Sequence, residues 1–148
     1  KIIIWTMGDL SDDLETYPKL INAVQNHGFD MVFCSRYMSG GSSGDLARFK
    51  AFLSSSFTIL ARVLFRIPVH DITNAFRAFK KEVFDSVNLE SGDFAISPEF
   101  AIKAHKEGFK LGEVPTNYTD RQAGTTKFKM LKMGRRYSWT ILKLFFSR

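Results

Sequence analysis

The chain has 148 residues, 45% of them hydrophobic, with 21 Lys and Arg against 15 Asp and Glu for a formal charge of +6. That length supports one domain with a real core, and the composition shows neither low complexity nor an internal repeat. A single cysteine, Cys34, excludes an internal disulfide framework, and no apolar run approaches the ~20 residues of a membrane-spanning helix.

The charge is unevenly spread. Residues 1–30 hold five acids (Asp9, Asp12, Asp13, Glu15, Asp30) against Lys1 and Lys19. Residues 121–148 hold eight basic residues and no acid. One end suits cations; the other suits phosphates or an anionic surface.

In chain order, Ile2-Ile3-Ile4-Trp5 reads as a buried strand. The chain opens directly on it without a Met, so a fragment is expected, with the neighbours of this strand upstream. Met7-Gly8-Asp9-Leu10-Ser11-Asp12-Asp13-Leu14-Glu15 follows, with four carboxylates in seven residues, Asp9 to Glu15. Thr16 to Asn26 then reads as a helix. The acids thus sit where a strand's carboxyl end meets a helix, the crest at which open α/β sheets bind ligands. Crowded carboxylates repel unless a cation joins them, and Mg²⁺ typically takes one or two carboxylates plus substrate phosphates. The competing reading is a helix cap from Ser11-Asp12-Asp13. Both can hold together, with Asp12 or Asp13 as cap and Asp9 as ligand.

Gly28 ends the first helix, and residues 30–35 read as a second strand, completing a βαβ unit with parallel strands. Cys34 within it reads as a buried thiol. Ser35-Arg36-Tyr37 shares the crest with Asp9. Ser39-Gly40-Gly41-Ser42-Ser43-Gly44 reads as a flexible loop that lets backbone approach a phosphate, or as a plain linker. Asp45 to Phe65 is the longest helical pattern, with Leu46, Phe49, Phe52, Leu53, Phe57, Leu60 and Leu64 on one face, aromatics expected mostly in the core. Arg48 lies near its start.

Asp71 follows a turn and precedes a short strand, Phe76 to Phe79; Arg77 nearby makes it a charge-paired, positioned carboxylate. His70 reads as a hydrogen-bonded structural histidine. A short helix is expected over Lys81 to Val87, another over Pro98 to Glu107, and a strand over Phe109 to Pro115. Arg121-Gln122-Ala123-Gly124-Thr125-Thr126-Lys127 has the make-up of a diphosphate clamp: a bidentate Arg fork, a mobile Lys charge and loop N–H donors. It also reads as a solvated basic loop. From Phe128 the chain is helical, apolar residues interleaving with basic ones, as in a helix that packs on the core or lies in a membrane interface.

Four segments together, Gly8-Asp9-Leu10-Ser11, Ser35-Arg36-Tyr37 with its Gly-Gly, Asp71-Ile72-Thr73-Asn74-Ala75-Phe76-Arg77, and Glu113-Val114-Pro115 leading to Arg121, Gly124 and Lys127, resemble family 2 glycosyltransferases. The branch they look most like is the dolichol- or polyprenyl-phosphate sugar synthases, dolichol-phosphate mannosyltransferase-like. The resemblance covers nearly the whole chain. It implies the second half of a GT-A, Rossmann-like α/β domain, residues 1–148, lacking the base-binding strands. The sheet would be mixed but mostly parallel, flanked by helices, and would end in a basic amphipathic helix over 128–148.

The implied activity is inverting transfer of a sugar from a GDP- or UDP-linked donor to a polyprenyl phosphate. The implied cofactor is Mg²⁺ or Mn²⁺ on Asp9 alone or with help from Asp12 or Asp13; Ser35 is a further supporting residue of the site. Asp71 and Arg77 carry over as catalytic residues, Arg121 and Lys127 as diphosphate ligands, and Arg36 and Arg48 as acceptor-phosphate ligands. The motif departs from the family in two places. Its Asp-x-Asp places Met7 where the first Asp stands, and Met is a poor ligand for a hard cation; Ala75 replaces a glycine. A phosphate acceptor, with a second pKa of about 6, needs little general-base help, so Asp71 would orient. For a sugar hydroxyl it would be the base.

The implied location is the cytoplasmic face of a membrane, peripheral or anchored through segments outside this chain. The fragment alone is expected to be inactive and, through an exposed sheet edge, to be prone to dimerise. Alternatives are transfer to a growing polysaccharide or glycan, a non-catalytic relic, and a basic binding module. A nucleic-acid partner is not expected, because the acidic crest would repel a phosphate backbone.

Overall fold

The structure is a computed structural model and describes residues 1–9, 11–44, 46–119 and 130–146, the side chains of 130–133 excepted. Among the described residues four strands form one open sheet: β1 (Ile2–Trp5), β2 (Met31–Ser35), β3 (Arg77–Lys80) and β4 (Leu111–Pro115). The order across the sheet is β1-β3-β2-β4. β2 and β4 pair in parallel, and β3 runs antiparallel to both β1 and β2. So three strands point one way and β3 is inserted against them. The βαβ reading is right in direction, but β1 and β2 are not neighbours.

Period-2 alternation divides the sheet between two apolar layers. Val32, Cys34 and Ala78, with Ile2 and Ile4, face α1 (Tyr17–Asn26) through Leu20, Ala23 and Val24. Met31, Phe33 and Phe79, with Ile3 and Trp5, face the other way. They meet α3 (Lys81–Ser86) and α4 (Ile96–Lys106) through Val83, Phe100, Ala101 and Ala104. All five β2 residues are buried, which is why that strand reads as a continuous apolar run rather than an alternating one. Burying each large apolar side chain contributes about 1.5–3 kcal/mol. On the second face Trp5, Phe79 and Phe100 meet edge-on or tilted, with centroids 4.9–5.3 Å apart.

Element boundaries shift for local reasons. A 3-10 turn over Leu14–Thr16 precedes α1, and the Asp13 side chain caps it by accepting from the Glu15 amide at 3.0 Å. α4 begins at Ile96, placing Pro98 in the first turn, where its missing N–H costs nothing. The expected 76–79 strand starts one residue later, because the Phe76 amide donates to Asn74 Oδ1 at 3.1 Å.

The larger correction concerns α2 (Arg48–Phe65). Its aromatic face was expected in the core. Within it only Thr58 and Ala61 are fully buried, while Phe52 is 65% and Val63 72% exposed. α2 lies over the crest of the sheet and packs against α4 and α5 (Met130–Phe146), not flat on the strands. Among the described residues, no helix is long and apolar enough to cross a membrane.

Glu99 in α4 is buried and anchors the 88–97 connection. Its carboxylate accepts from the Glu90 and Ser91 amides at 2.8 Å each and pairs with Lys103 at 2.8 Å. Burial works to raise its pKa, but Lys103 and those amides outweigh it and hold the carboxyl below its ordinary value. The stabilisation is therefore present above the unfolded carboxylate pKa and is lost as pH falls through the folded one. Glu99→Gln should cost about 1–3 kcal/mol in urea unfolding at pH 7. The gap to wild type should close in acid, below the range in which Glu99 titrates.

Candidate active site

The acidic loop after β1 divides its carboxylates between structure and surface. Asp12 Oδ2 accepts from the Met7 amide at 2.7 Å and the Thr6 hydroxyl at 2.9 Å, closing the loop on itself. Burial pushes the Asp12 carboxyl above its ordinary value; those bonds oppose the rise and the nearby charge of Asp9 adds to it. Asp9 Oδ1 accepts from Ser11 Oγ at 2.6 Å and from its amide at 3.2 Å. Asp13 caps the 3-10 turn described above, not α1, whose own N-cap is Thr16 without a side-chain bond. Asp13 thus takes a capping place, while Asp9 and Asp12 line a cavity.

Opposite them, at the end of β2, Arg36 is held in a fork. Its Nε donates to Asp71 Oδ2 at 2.7 Å and its Nη2 to Asp71 Oδ1 at 3.1 Å and Thr73 Oγ1 at 3.0 Å. Among the described residues Nη1 donates no hydrogen bond. Asp71 is fully buried, the Arg36 side chain 10% exposed. Burial alone would lower the Arg36 pKa; the Asp71 carboxylate overrides this and raises it. Asp71 accepts further from the Thr73 hydroxyl at 2.9 Å and the Asn74 amide at 3.2 Å, so both its oxygens are committed. Ser35 is buried, and its Oγ accepts from the Met38 amide at 3.2 Å, which shapes the turn after β2.

The glycine-rich stretch is not a free linker. Ser42 bridges to Asn117 alongside β4, and its amide donates to Thr116 O at 3.0 Å while its carbonyl accepts from Tyr118 at 3.0 Å. A Cβ on Gly41 would come within 2.4 Å of Ser35 O. One on Gly44, at φ +45°, would come within 2.0 Å of Tyr118 O. Those glycines let the loop lie directly on the site's backbone.

These pieces enclose a cavity of about 400 Å³ at the carboxyl ends of β1 and β2. Met7, Asp9, Asp12, Arg36, Thr73 and Asn74 form its polar side. Leu46 just before α2, Leu53, Phe57 and Leu60 of α2, Phe94, and Tyr137 of α5 form its apolar side. Lys50 of α2 lines the same space, and among the described residues it has no carboxylate partner. Ser54, also lining it, is bonded to the Tyr37 hydroxyl.

Among the expected site residues, Asp9, Asp12 and Arg36 come together here. Asp71 is charge-paired as expected, but with Arg36 and not Arg77. Arg77 is wholly buried, and its guanidinium donates to main-chain carbonyls. Arg48 is exposed in the first turn of α2 and does not line the cavity. Arg121 and Lys127 lie outside the described residues. His70 is the structural histidine anticipated: its amide donates to Glu113 Oε2 at 2.7 Å. Lys50 went unread, although the signal was there: a cation on the stripe Leu46, Lys50, Leu53, Phe57, Leu60, at helical spacing among apolar residues.

Among the described residues no three metal-binding side chains converge. The donors at hand are the carboxylates of Asp9 and Asp12. Hard oxygen donors of that number suit a divalent cation whose other ligands are phosphates and water. Met7, also lining the cavity, adds none.

The fold is that of part of a GT-A domain: a mixed open sheet, helices on both faces, and a polar cavity on the crest. No protein-family model matches the chain. It is 29% identical over 129 residues to the polyprenol monophosphomannose synthase of Mycolicibacterium smegmatis, covering 85% of this chain and 48% of that protein. It is 27% identical over 143 residues to the dolichyl-phosphate hexose transferase of Haloferax volcanii, covering 97% of this chain and 60% of that protein. The chain therefore spans about half the length of the curated relatives it matches. The likeness seen in the four motifs thus extends along almost the whole chain to proteins of the polyprenyl-phosphate sugar synthase branch.

Gly44→Ala should lift the glycine-rich loop from Tyr118. We expect a loss of about 1–3 kcal/mol in urea unfolding, as for other forced overpacking.

Proposed function

We propose that this chain is the acceptor-side part of a glycosyltransferase that moves a sugar from a nucleotide diphosphate donor to a polyprenyl phosphate. The observation that carries the proposal is the two-sided cavity. An acid-lined edge and the Arg36 and Lys50 cations meet an apolar wall along α2. A lipid phosphate needs that combination: a cation for its head and apolar surface directly beside it for its tail.

In this reading Lys50 and Ser54 take the acceptor phosphate with Arg36, the place first given to Arg48. Leu53, Phe57 and Leu60, three, seven and ten residues beyond Lys50, run along the same face and would carry the first isoprene units. Asp9, with Asp12, would hold Mg²⁺ or Mn²⁺, whose charge would favour departure of the nucleotide diphosphate. Arg121 and Lys127 would add donors to that diphosphate. A phosphate acceptor is anionic near neutral pH and attacks without a general base, inverting the sugar carbon in one displacement. Asp71, locked onto Arg36, orients that arginine and takes no proton. The same commitment of both its oxygens argues against a sugar-hydroxyl acceptor, for which a free base is needed.

The outer faces of α2 and α5 support docking at a membrane surface. Trp139 is 67% and Phe146 79% exposed, with Leu142 and Phe145 beside them. Arg135 on α5, and Arg62 and Arg66 at the end of α2, flank them with positive charge. We place the protein on the cytoplasmic face, where nucleotide sugars are found.

Full-length protein assayed with GDP- and UDP-sugars and polyprenyl phosphate in detergent should transfer sugar in a metal-dependent reaction. Asp9→Asn should lower kcat by about a hundredfold or more, as loss of transition-state charge stabilisation does. Lys50→Ala should raise KM for the lipid by about tenfold with a smaller change in kcat. Normal transfer by Asp9→Asn would refute the assignment. In flotation with anionic vesicles, Phe52→Glu with Val63→Glu should release the protein from the lipid fraction. Unchanged flotation means that α2 does not touch the bilayer.

A further inference from the structure

Arg77 is a cation with no carboxylate within ion-pair reach among the described residues, and it is fully buried. Its register explains the place: it lies opposite Trp5 on one side and Phe33 on the other. The guanidinium stands 4.6 Å from the Phe33 ring centre and 5.9 Å from that of Trp5, sandwiched between neighbouring strands. Its donors all end on backbone carbonyls. Nη1 reaches Ser97 O at 2.9 Å; Nη2 reaches Ile72 O at 3.3 Å and also Asn74 O; Nε reaches Ala75 O at 3.3 Å. Three of the four carbonyls belong to residues 72–75, the fourth to the first turn of α4. Burial lowers its pKa to about 9, so holding a charge here costs folding free energy. A cation kept at that cost, and absent from the cavity wall, has its effect through what it holds.

What it holds is the segment that fixes Arg36. Asp71 supplies the fork, Thr73 the added hydroxyl, and the Asn74 side chain donates to Cys34 O at 2.9 Å, tying the segment to the end of β2. We propose that Arg77 is a positioning residue: by gathering the carbonyls of Ile72, Asn74 and Ala75 beneath the cavity, it sets the segment whose Asp71 aims Arg36 at the acceptor phosphate. The aim at a phosphate rests on the function proposed above; the mechanical coupling of Arg77 to Arg36 does not. A planar guanidinium with a fixed fan of N–H donors can span these four carbonyls, whereas the single ammonium of a lysine cannot.

The test uses the full-length protein and hydrogen exchange at the Arg36 Nε–H. Arg77→Lys should speed that exchange about tenfold, as local release of the segment would. Asp71→Asn should do the same, and the double variant should exchange no faster than Asp71→Asn alone. The Val32 and Phe33 amides of β2 should keep wild-type protection. Unchanged Arg36 protection in Arg77→Lys overturns the proposal, and so does equal loss of protection at β2, which would mark a purely structural role. If Arg77→Lys fails to fold, Arg77→Met, which fills the space between Trp5 and Phe33, takes its place with the same readings. Farnesyl phosphate titration reads the consequence. Arg77→Lys should bind about tenfold more weakly, a change of about 1.4 kcal/mol, yet cause no further loss in an Arg36→Ala background. Equal weakening in both backgrounds overturns the coupling. No binding to the wild type sinks the acceptor reading alone, since the exchange experiment contains no ligand.

Discussion

The fork between Arg36 and Asp71 is the contact on which the site depends. It joins the end of β2 to the connection before β3, so the polar side of the cavity is one unit. A buried ion pair seldom adds much net stability, because each charge gives up its water. Its contribution here is geometric. Two parallel hydrogen bonds fix the plane of the guanidinium, and Thr73 and the Asn74 amide saturate the carboxylate that holds it. A lone Arg36 on an exposed turn would sample many rotamers. Paired, it presents one edge to the cavity.

Beneath that pair, the reversed strand β3 allows the arrangement. Lying between β1 and β2, it brings Arg77 between an aromatic from each neighbour and delivers the 71–76 segment to the crest beside both strand ends. A sheet in which β1 and β2 paired directly would leave no such gap. The two apolar layers then hold the strands in register, since a slip by one residue would exchange Val32 and Cys34 with Met31 and Phe33 across the sheet.

α2 and α5 form the other half of the cavity and share a division of labour. Each turns some apolar residues inward and leaves others in water. Tyr137, Ile141 and Leu144 bury one side of α5, and the Tyr137 ring lies 4.8 Å from Phe57 of α2. Arg136 pairs with Asp93 at 2.9 Å, Lys143 pairs with Glu90, and Lys106 donates to Leu144 O at 2.9 Å. Exposed ion pairs of this kind are worth little each; the inward apolar residues hold the helix and set its rotation. That rotation decides which aromatics line the cavity and which face outward.

Strand and helix identities were legible in the sequence because they rest on local patterns: apolar runs, helical spacing, and punctuation such as Gly28 after the first helix. The acidic crest was legible for the same reason, since Asp9 to Asp13 lie in one turn of chain. The Asp71 pairing was legible only as a charged partner, because the nearer arginine in sequence, Arg77, is drawn under the sheet by its strand register. Lys50 was missed and the exposure of α2 misread for one reason. A helix with apolar residues on one side looks alike whether that side covers a core or walls a cavity. The chain by itself determined which segments are strands and helices and that carboxylates gather where the first strand ends. Tertiary structure alone decided which arginine Asp71 holds and which lysine reaches the pocket, because those choices depend on strand order and helix rotation, set by contacts between residues far apart along the chain.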